Sequence, residues 1–144
     1  MNSVHIEKEI RAPIGIVSGL TGDVSAWTDW MGISEVTIDR PADSGPLGLG
    51  TRYHARSGFV TDHYEVVAFD PPHKYEYELI SGHPFRSYHG VTTLTPTDQG
   101  TLVRWHVDFR PRLPGSGWAL QLMIGRAFRR ALKRLAKLAE QRAN

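Results

Sequence analysis

The C-terminal part of the chain has the pattern of one long amphipathic helix, and this helix constrains the fold more than any other segment. No proline follows Pro114, and apolar residues recur from Gly115 to Arg142 with the 3.6-residue period of a helix packed on one side. We predict a helix over Gly117–Gln141 with Ser116 as its N-cap. Its predicted buried side consists of Leu120, Ile124, Ala127, Phe128, Ala131, Leu132, Leu135, Leu138 and Ala139. Such a helix requires a second layer to cover that side.

The rest of the helix surface differs between its two ends. The side opposite the apolar residues is basic and carries Arg126, Arg129, Arg130, Lys133, Arg134 and Lys137. A solvated face is the ordinary interpretation, because cations near a helix C-terminus suit the helix dipole. Contact with an anionic membrane surface or an acidic partner is the alternative, and no nucleic-acid partner is expected. In the first turns Trp118, Leu122 and Met123 extend the apolar surface, which predicts burial or a position at the rim of a cavity.

Most of the preceding chain alternates between apolar and polar residues, as β-strands do. Predicted strands cover residues 3–11, 33–40, 51–57, 60–69, 74–81, 86–95 and 101–110. Two short helices follow the first strand and end near Leu20 and Trp27. The spacers between the later strands are short and contain Gly, Pro or Asp, which favours antiparallel hairpins over parallel crossovers. The pattern therefore predicts an α+β fold with an antiparallel sheet.

Strand alternation places all five tyrosines on the sheet face that meets the helix. They are Tyr53, Tyr64, Tyr75, Tyr77 and Tyr88, and Trp105 shares their face. Because buried tyrosines need hydrogen-bond partners, a face rich in them indicates a partly hollow interior. The alternative is that their hydroxyls simply reach solvent at the edge of the sheet.

Two charged residues, Asp62 and Arg86, are also predicted on this inner face, and they are candidates for catalysis. Arg86 could orient an oxyanion of a ligand. Asp62, or a tyrosine with a lowered pKa, could act as a base. The alternative is that both charges reach solvent at the rim of the sheet.

Composition excludes several classes of site. The chain of 144 residues contains no cysteine, which excludes disulfides, thiolate zinc sites and cysteine nucleophiles. None of the seven histidines has the spacing of a helical zinc motif and there is no Gly-x-Ser-x-Gly elbow, so neither a metal, a cofactor nor a serine hydrolase is predicted. No segment has the length and apolarity of a signal peptide or a transmembrane helix. We therefore expect one cytoplasmic domain spanning residues 1–144.

Short motifs along nearly the whole chain resemble one protein family. They are Ile10-Arg11-Ala12-Pro13, Trp27-Thr28-Asp29-Trp30, Gly48-Leu49-Gly50-Thr51, the run from Val66 to Pro72, Thr95-Pro96 with Gly100-Thr101, and the Leu-rich helix ending near Glu140. Their order and spacing are similar to those of polyketide cyclase/dehydrase-type START-like (SRPBCC) proteins. The resemblance implies a helix-grip fold: a curved antiparallel sheet of about seven strands around the C-terminal helix, with two short helices closing one end and a cavity between.

The resemblance implies a function only coarsely, because members of this family carry out different tasks on one fold. Binding of a small, largely apolar molecule, such as a lipid, polyketide or aromatic metabolite, is the first hypothesis. A polyketide cyclase or dehydratase and a protein- or membrane-surface interaction module are the alternatives. The predicted ligand-binding residues are Trp27, Trp30, Tyr53, Tyr64, Tyr77, Arg86, Tyr88, Trp105, Trp118 and Leu122. The two tryptophans of the second short helix are expected near the cavity entrance. The sequence determines neither the ligand nor the oligomeric state.

Overall fold

The structure, a computed structural model, describes residues 2–82 and 84–144, and its elements follow the predicted order. His83, one of the seven histidines, lies outside the described residues. The strands are β1 (Asn2–Ile10), β2 (Glu35–Arg40), β3 (Arg52–Ser57), β4 (Val60–Asp70), β5 (Lys74–Ser81), β6 (Phe85–Thr97) and β7 (Gly100–Pro111). The helices are α1 (Ile14–Thr21), α2 (Trp27–Trp30) and α3 (Gly117–Ala143), with a 3₁₀ turn at Val24–Ala26 before α2.

The seven strands form one curved antiparallel sheet in the order β1-β7-β6-β5-β4-β3-β2. Strands β2 to β7 pair with their neighbours in sequence, as the short spacers predicted. Strand β1 pairs with β7, in a register that runs from Asn2 opposite Phe109 to Ile10 opposite Thr101. The first and the last strand of the chain are therefore neighbours, and β1 and β2 form the edges of the sheet.

Helix α3 covers the concave face of the sheet with its predicted apolar side. Leu132 and Leu135 are at most 1% exposed, and Leu120, Ile124 and Phe128 are also buried. Ala127 is exposed, because it lies at the margin of the apolar stripe. Ser116 precedes the helix as predicted, but its hydroxyl donates to the Leu113 carbonyl at 2.7 Å and does not cap the helix. The long helix is thus confirmed in extent and in the rotation of its buried side.

The first turns of α3 do not lie inside the molecule, which corrects the prediction for Trp118 and Leu122. Their exposed fractions are 69% and 54%. Both residues line an open groove beside β1, together with Val4 and Ile6. Since β1 is the edge of the sheet, no further strand covers these side chains.

The strand pairing is irregular at four places among the described residues, and two of these β-bulges bear on the predicted inner face. One interrupts β6 between Phe85 and Ser87, so that Phe85 is buried and Arg86 is exposed. Arg86 was predicted on the inner face, and that placement is wrong because a bulge adds a residue to the strand and breaks its alternation. The second bulge, in β4 after Val66, puts Phe69 opposite the buried Tyr75.

The short helices close one end of the sheet, where tryptophan side chains hold them together. The Trp27 indole nitrogen donates to the Thr21 carbonyl at 2.9 Å, and Trp30 donates to the Leu20 carbonyl at 3.3 Å. Helix α2 is also attached to α3, because Arg134 donates to the Trp30 carbonyl at 3.0 Å. Within the described part of the chain, no helix combines the length and the apolarity needed to cross a bilayer.

Candidate functional site

A cavity of about 130 Å³ lies between the sheet, α2 and α3. Its walls are aromatic and aliphatic: Trp27, Met31, Ile33, Tyr53, Ala55, Tyr64, Tyr77, Tyr88, Trp105 and Phe128. Met31, Ile33, Ala55 and Tyr64 are only partly buried, so the cavity opens to solvent between them. No described residue of the wall carries a charge, a carboxylate or an imidazole.

The aromatic wall arises from strand alternation on neighbouring antiparallel strands. Tyr53 and Tyr64 are directly opposite on β3 and β4, and their rings stack with centroids 5.4 Å apart. Trp105 on β7 stacks on Phe128 of α3 at 3.7 Å with nearly parallel planes. The sheet therefore contributes five aromatic rings to the cavity wall, and α3 contributes one, Phe128.

Gly90 makes room for the central tyrosine. It is opposite Tyr77 in the β5–β6 pairing, and a Cβ atom at Gly90 would overlap the Tyr77 ring. A glycine here allows the ring to lie directly on the backbone of β6. This close approach directs the Tyr77 hydroxyl toward β7, where it accepts a hydrogen bond from the Trp105 indole at 3.0 Å.

Burial raises the pKa of every tyrosine in the cavity wall. The pKa of Tyr53, Tyr64 and Tyr88 lies well above the usual value, chiefly because the tyrosinate would lose its hydration. The pKa of Tyr77 rises only to about 12, because hydrogen bonds from Trp105 and Tyr88 partly offset the loss of hydration. A tyrosine base with a lowered pKa, which was one of the predicted roles, is therefore contradicted. These hydroxyls are neutral at pH 7. Tyr64 donates its proton to Asp62 and Tyr88 donates to Tyr77, whereas Tyr77 accepts from Trp105 and Tyr88 and keeps its own proton for a ligand oxygen.

Asp62 lies on the inner side of β4, near the opening. It is partly buried, and its Oδ2 accepts a hydrogen bond from the Tyr64 hydroxyl at 3.2 Å. Its carboxylate also lies against the backbone of Gly82. Asp62 is thus next to a wall residue of the cavity, whereas Arg86, with which it was predicted to pair, is on the exposed bulge of β6.

The structure brings six of the predicted ligand-binding residues to one cavity and places four elsewhere. Trp27, Tyr53, Tyr64, Tyr77, Tyr88 and Trp105 line the cavity. Trp30 is buried behind the wall, with its ring edge against Trp105 at a centroid distance of 6.1 Å. Arg86, Trp118 and Leu122 are exposed on the outside of the molecule.

Four residues of the wall were not predicted as site residues. Phe128 belonged to the predicted apolar side of α3, so its inward position could be inferred from that side, whereas its stacking on Trp105 depends on how α3 packs on the sheet. Ala55 shares the inner face of β3 with Tyr53, so strand alternation also predicts that Ala55 faces the cavity. Met31 and Ile33 lie in the irregular segment after α2, where no periodicity exists to place them.

Comparison with known proteins identifies the family. The profile of the family described as polyketide cyclase / dehydrase and lipid transport matches residues 1–140. A START superfamily protein from Mycobacterium smegmatis has a TM-score of 0.85 at 17% identity, over 98% of this chain and 99% of the other. A protein from Thermobifida fusca has a TM-score of 0.81 at 23% identity, over 98% and 95% of the two chains. XoxI from Bacillus cereus has a TM-score of 0.79 at 18% identity, over 96% of each chain.

No functionally curated protein has a significant match to the sequence. The similarities to solved structures lie below 25% identity and show the fold, a curved sheet around a C-terminal helix. The family profile covers all strands and nearly all of α3, so it applies to the elements that build the cavity. The chain therefore belongs to the polyketide cyclase/dehydrase and lipid transport family and has the START-like, helix-grip fold of the SRPBCC superfamily.

Proposed function

We propose that this protein binds a small, largely apolar molecule in the cavity between the sheet, α2 and α3. The observation that supports the proposal is the wall itself, in which aromatic rings surround about 130 Å³ and a few tyrosine hydroxyls are the polar groups. Ligand pockets generally combine apolar walls with a small number of polar groups that orient the ligand. The family, whose description includes lipid transport, is consistent with this function.

The size of the cavity limits what it can enclose. Ligand pockets for drug-sized molecules have volumes of about 300–1,000 Å³, whereas an apolar cavity of about 150 Å³ binds benzene. A cavity of about 130 Å³ thus fits one ring or a short branched chain. A lipid or polyketide would place only one such group inside, and the rest would extend through the opening beside Met31 and Tyr64.

The polar groups favour a neutral oxygen on the enclosed part of the ligand. Both Tyr77 and Tyr88 are neutral at pH 7; the Tyr77 hydroxyl can donate to a ligand, and the Tyr88 hydroxyl, which donates to Tyr77, can accept from one. They suit a phenol, alcohol or ketone oxygen, with a net contribution of about 1 kcal/mol for each hydrogen bond. A carboxylate is disfavoured, because Arg86 is not in the wall and an unpaired buried charge is costly.

A pair of variants on two alanines tests the proposal. Ala55 is in the cavity wall, whereas Ala119 is exposed on α3. We expect p-cresol to change the tryptophan fluorescence of the wild-type protein and of Ala119→Leu in a saturable way. Ala55→Leu fills part of the cavity and should weaken binding at least about tenfold. Equal binding by the two variants would refute the cavity as the site.

Native mass spectrometry of the protein isolated from cell extract addresses the identity of the ligand. We expect a non-covalent adduct of small mass on the wild-type protein and on Ala119→Leu, but not on Ala55→Leu. An adduct retained by Ala55→Leu would mean that it is bound at another surface.

A second candidate function is catalysis of the cyclase or dehydratase type, which the pairing of Asp62 with Tyr64 favours. A carboxylate at the opening of an apolar cavity can take a proton from a carbon next to a carbonyl group. The Tyr64 hydroxyl, at 3.2 Å, would orient that carboxylate. A poly-β-keto thioester is the probe: turnover by the wild-type protein and its loss in Asp62→Asn, with p-cresol binding unchanged, supports catalysis. Absence of turnover by the wild-type protein argues for a carrier.

A further inference from the structure

Two histidines form a direct cross-strand pair on the convex face of the sheet. His54 on β3 is opposite His63 on β4, and their ring centroids are 5.2 Å apart. Each is next in sequence to a tyrosine of the cavity wall, so strand alternation directs both imidazoles away from the cavity. Directly opposed residues of antiparallel strands have Cβ atoms about 4.5–5.5 Å apart, which is close enough for two imidazoles to share one ion.

A carboxylate from a third strand completes this group. The pairing of β2 with β3 is irregular between Ile38 and Arg40, which makes Asp39 the residue of a bulge. Bulges re-aim a side chain, and here the Asp39 carboxylate oxygens lie 2.8 and 2.9 Å from His54 Nδ1. Asp39 Oδ2 is also 3.8 Å from His63 Nδ1. The candidate ligand atoms of all three residues lie within 4.8 Å of one another.

The separations between the Asp39 carboxylate and His54 Nδ1 match those of neighbouring ligands around one transition-metal ion, and the 3.8 Å between Asp39 Oδ2 and His63 Nδ1 is about 0.5 Å longer than a tetrahedral site requires. With metal–ligand bonds of about 2.0–2.1 Å, neighbouring ligand atoms lie about 3.3 Å apart in a tetrahedral site and about 2.9 Å apart in an octahedral one. Side-chain exposures of 32% for His54, 40% for Asp39 and 46% for His63 leave room for water to complete the coordination. The nearby cations Arg40 and Arg52 both contact the Glu65 carboxylate, at 3.6 and 2.7 Å, which offsets their repulsion of an ion.

The same face contains a second histidine pair that provides a comparison. His5 and His106 are opposite on β1 and β7, with ring centroids 5.5 Å apart. Each bonds its own carboxylate, Glu7 or Asp108, at 3.1 Å. Among the described residues, only Asp39, His54 and His63 bring three metal-ligating side chains within 4.8 Å. A shared carboxylate therefore distinguishes the β2–β3–β4 group from an ordinary surface pair.

We propose that Asp39, His54 and His63 form a binding site for a divalent first-row transition ion, with Zn²⁺ as the reference ion. Imidazole and carboxylate ligands suit Zn²⁺, Ni²⁺ and Cu²⁺, whereas Mg²⁺ requires oxygen ligands. The ion joins three adjacent strands whose opposite face includes Tyr53 and Tyr64. Metal binding on the convex face thus stabilises the strands that form one wall of the cavity, and it does not depend on what the cavity binds.

Calorimetric titration of the untagged protein with Zn²⁺ and, separately, Mg²⁺ tests the site. We expect one Zn²⁺ per chain and no saturable Mg²⁺ binding. Removing a second-shell partner of a metal ligand costs about 10- to 100-fold in affinity, so removing a direct ligand should cost at least about tenfold. His63→Gln and Asp39→Asn should each show this loss, and the control His106→Gln should bind Zn²⁺ like the wild-type protein.

Thermal unfolding provides an independent measurement, because an ion that binds only the folded state raises the melting temperature. Zn²⁺ should raise it for the wild-type protein and His106→Gln, but not for His63→Gln or Asp39→Asn. The proposal is wrong if the wild-type protein shows no saturable Zn²⁺ binding. It is also wrong if both site variants bind as tightly as the wild-type protein, or if His106→Gln loses as much affinity as they do.

Discussion

At the scale of single residues, the volume of the cavity depends on Gly90, which sets the position of the Tyr77 ring. The ring of Tyr77 lies on Gly90, and the wall includes Trp105, whose indole donates to the Tyr77 hydroxyl at 3.0 Å. A methyl group at Gly90 would push the ring away from β6 and toward the cavity. The position of one ring thus couples backbone packing to the volume available for a ligand.

Gly90→Ala should therefore destabilise the fold by about 1–3 kcal/mol, the usual cost of adding atoms to a packed interior. It should also reduce p-cresol binding. Urea unfolding of the variant measures the first effect. Gly19→Ala is the control, because a Cβ at Gly19 meets nothing within 4 Å and alanine favours the helix by about 0.4–1 kcal/mol. Equal stability of the two variants would show that the Tyr77 ring moves without cost.

The tyrosines provide a second prediction at this scale, in the alkaline range. Folding raises the pKa of Tyr77 to about 12 and those of its neighbours further, against about 10 in an unfolded chain. The stabilisation from neutral buried tyrosines is therefore fully present below about pH 10 and is lost as the pH rises toward the folded-state values. Tyrosinate absorbance should appear together with loss of the circular dichroism signal. A tyrosinate signal well below pH 10 in the folded protein would contradict the buried positions.

At the scale of elements, α3 contributes unequally along its length. Its middle and C-terminal turns bury Leu132 and Leu135 against the sheet, whereas Trp118 and Leu122 are exposed beside β1. The same helix therefore combines a core-forming part with a part that contributes mainly to the surface.

Leu135→Ala should cost about 2–5 kcal/mol of unfolding free energy, because Leu135 is completely buried and the cavity left behind would not refill. Leu122→Ala, at a position that is half exposed, should cost much less. Denaturant unfolding of the two variants measures the difference. A loss below about 1 kcal/mol for Leu135→Ala would mean that the helix is rotated from the position described here.

At the scale of the whole molecule, the basic side of α3 is a broad charged surface. Arg130, Lys133 and Lys137 are exposed and make no ion pair with any described carboxylate. Arg134 is different, because it donates to the carbonyl of Trp30 and joins α3 to α2. The first three residues are therefore available to an external anion without a role in holding the elements together.

Replacing Arg130, Lys133 and Lys137 by glutamine should leave the melting temperature nearly unchanged, since exposed charges contribute little to stability. If the basic side contacts membranes, the triple variant should bind vesicles of anionic phospholipid more weakly, by about 1 kcal/mol for each charge removed. Co-sedimentation with such vesicles measures this. Unchanged vesicle binding would remove the support for a membrane-surface function, and a large fall in melting temperature would show a structural role.

The type and order of the elements, the extent of α3 and the inner face of most strands could be predicted from the sequence. These features depend on local periodicity, and they are correct at Leu132, Leu135, Tyr53, Tyr77 and Trp105 because burial of apolar residues enforces the period of each element. Six of the predicted ligand-binding residues line the cavity for the same reason.

The remaining features depend on how the elements pair and pack, and they could not be predicted from the sequence. A bulge moved Arg86 to the surface, and the edge position of β1 left Trp118 and Leu122 uncovered. The volume of the cavity depends on how far a curved sheet stands from a helix, and the approach of Asp39 to His54 depends on strand pairing between distant segments. The periodicity of apolar residues within an element does not predict these distances, because they arise when separate elements pack against one another.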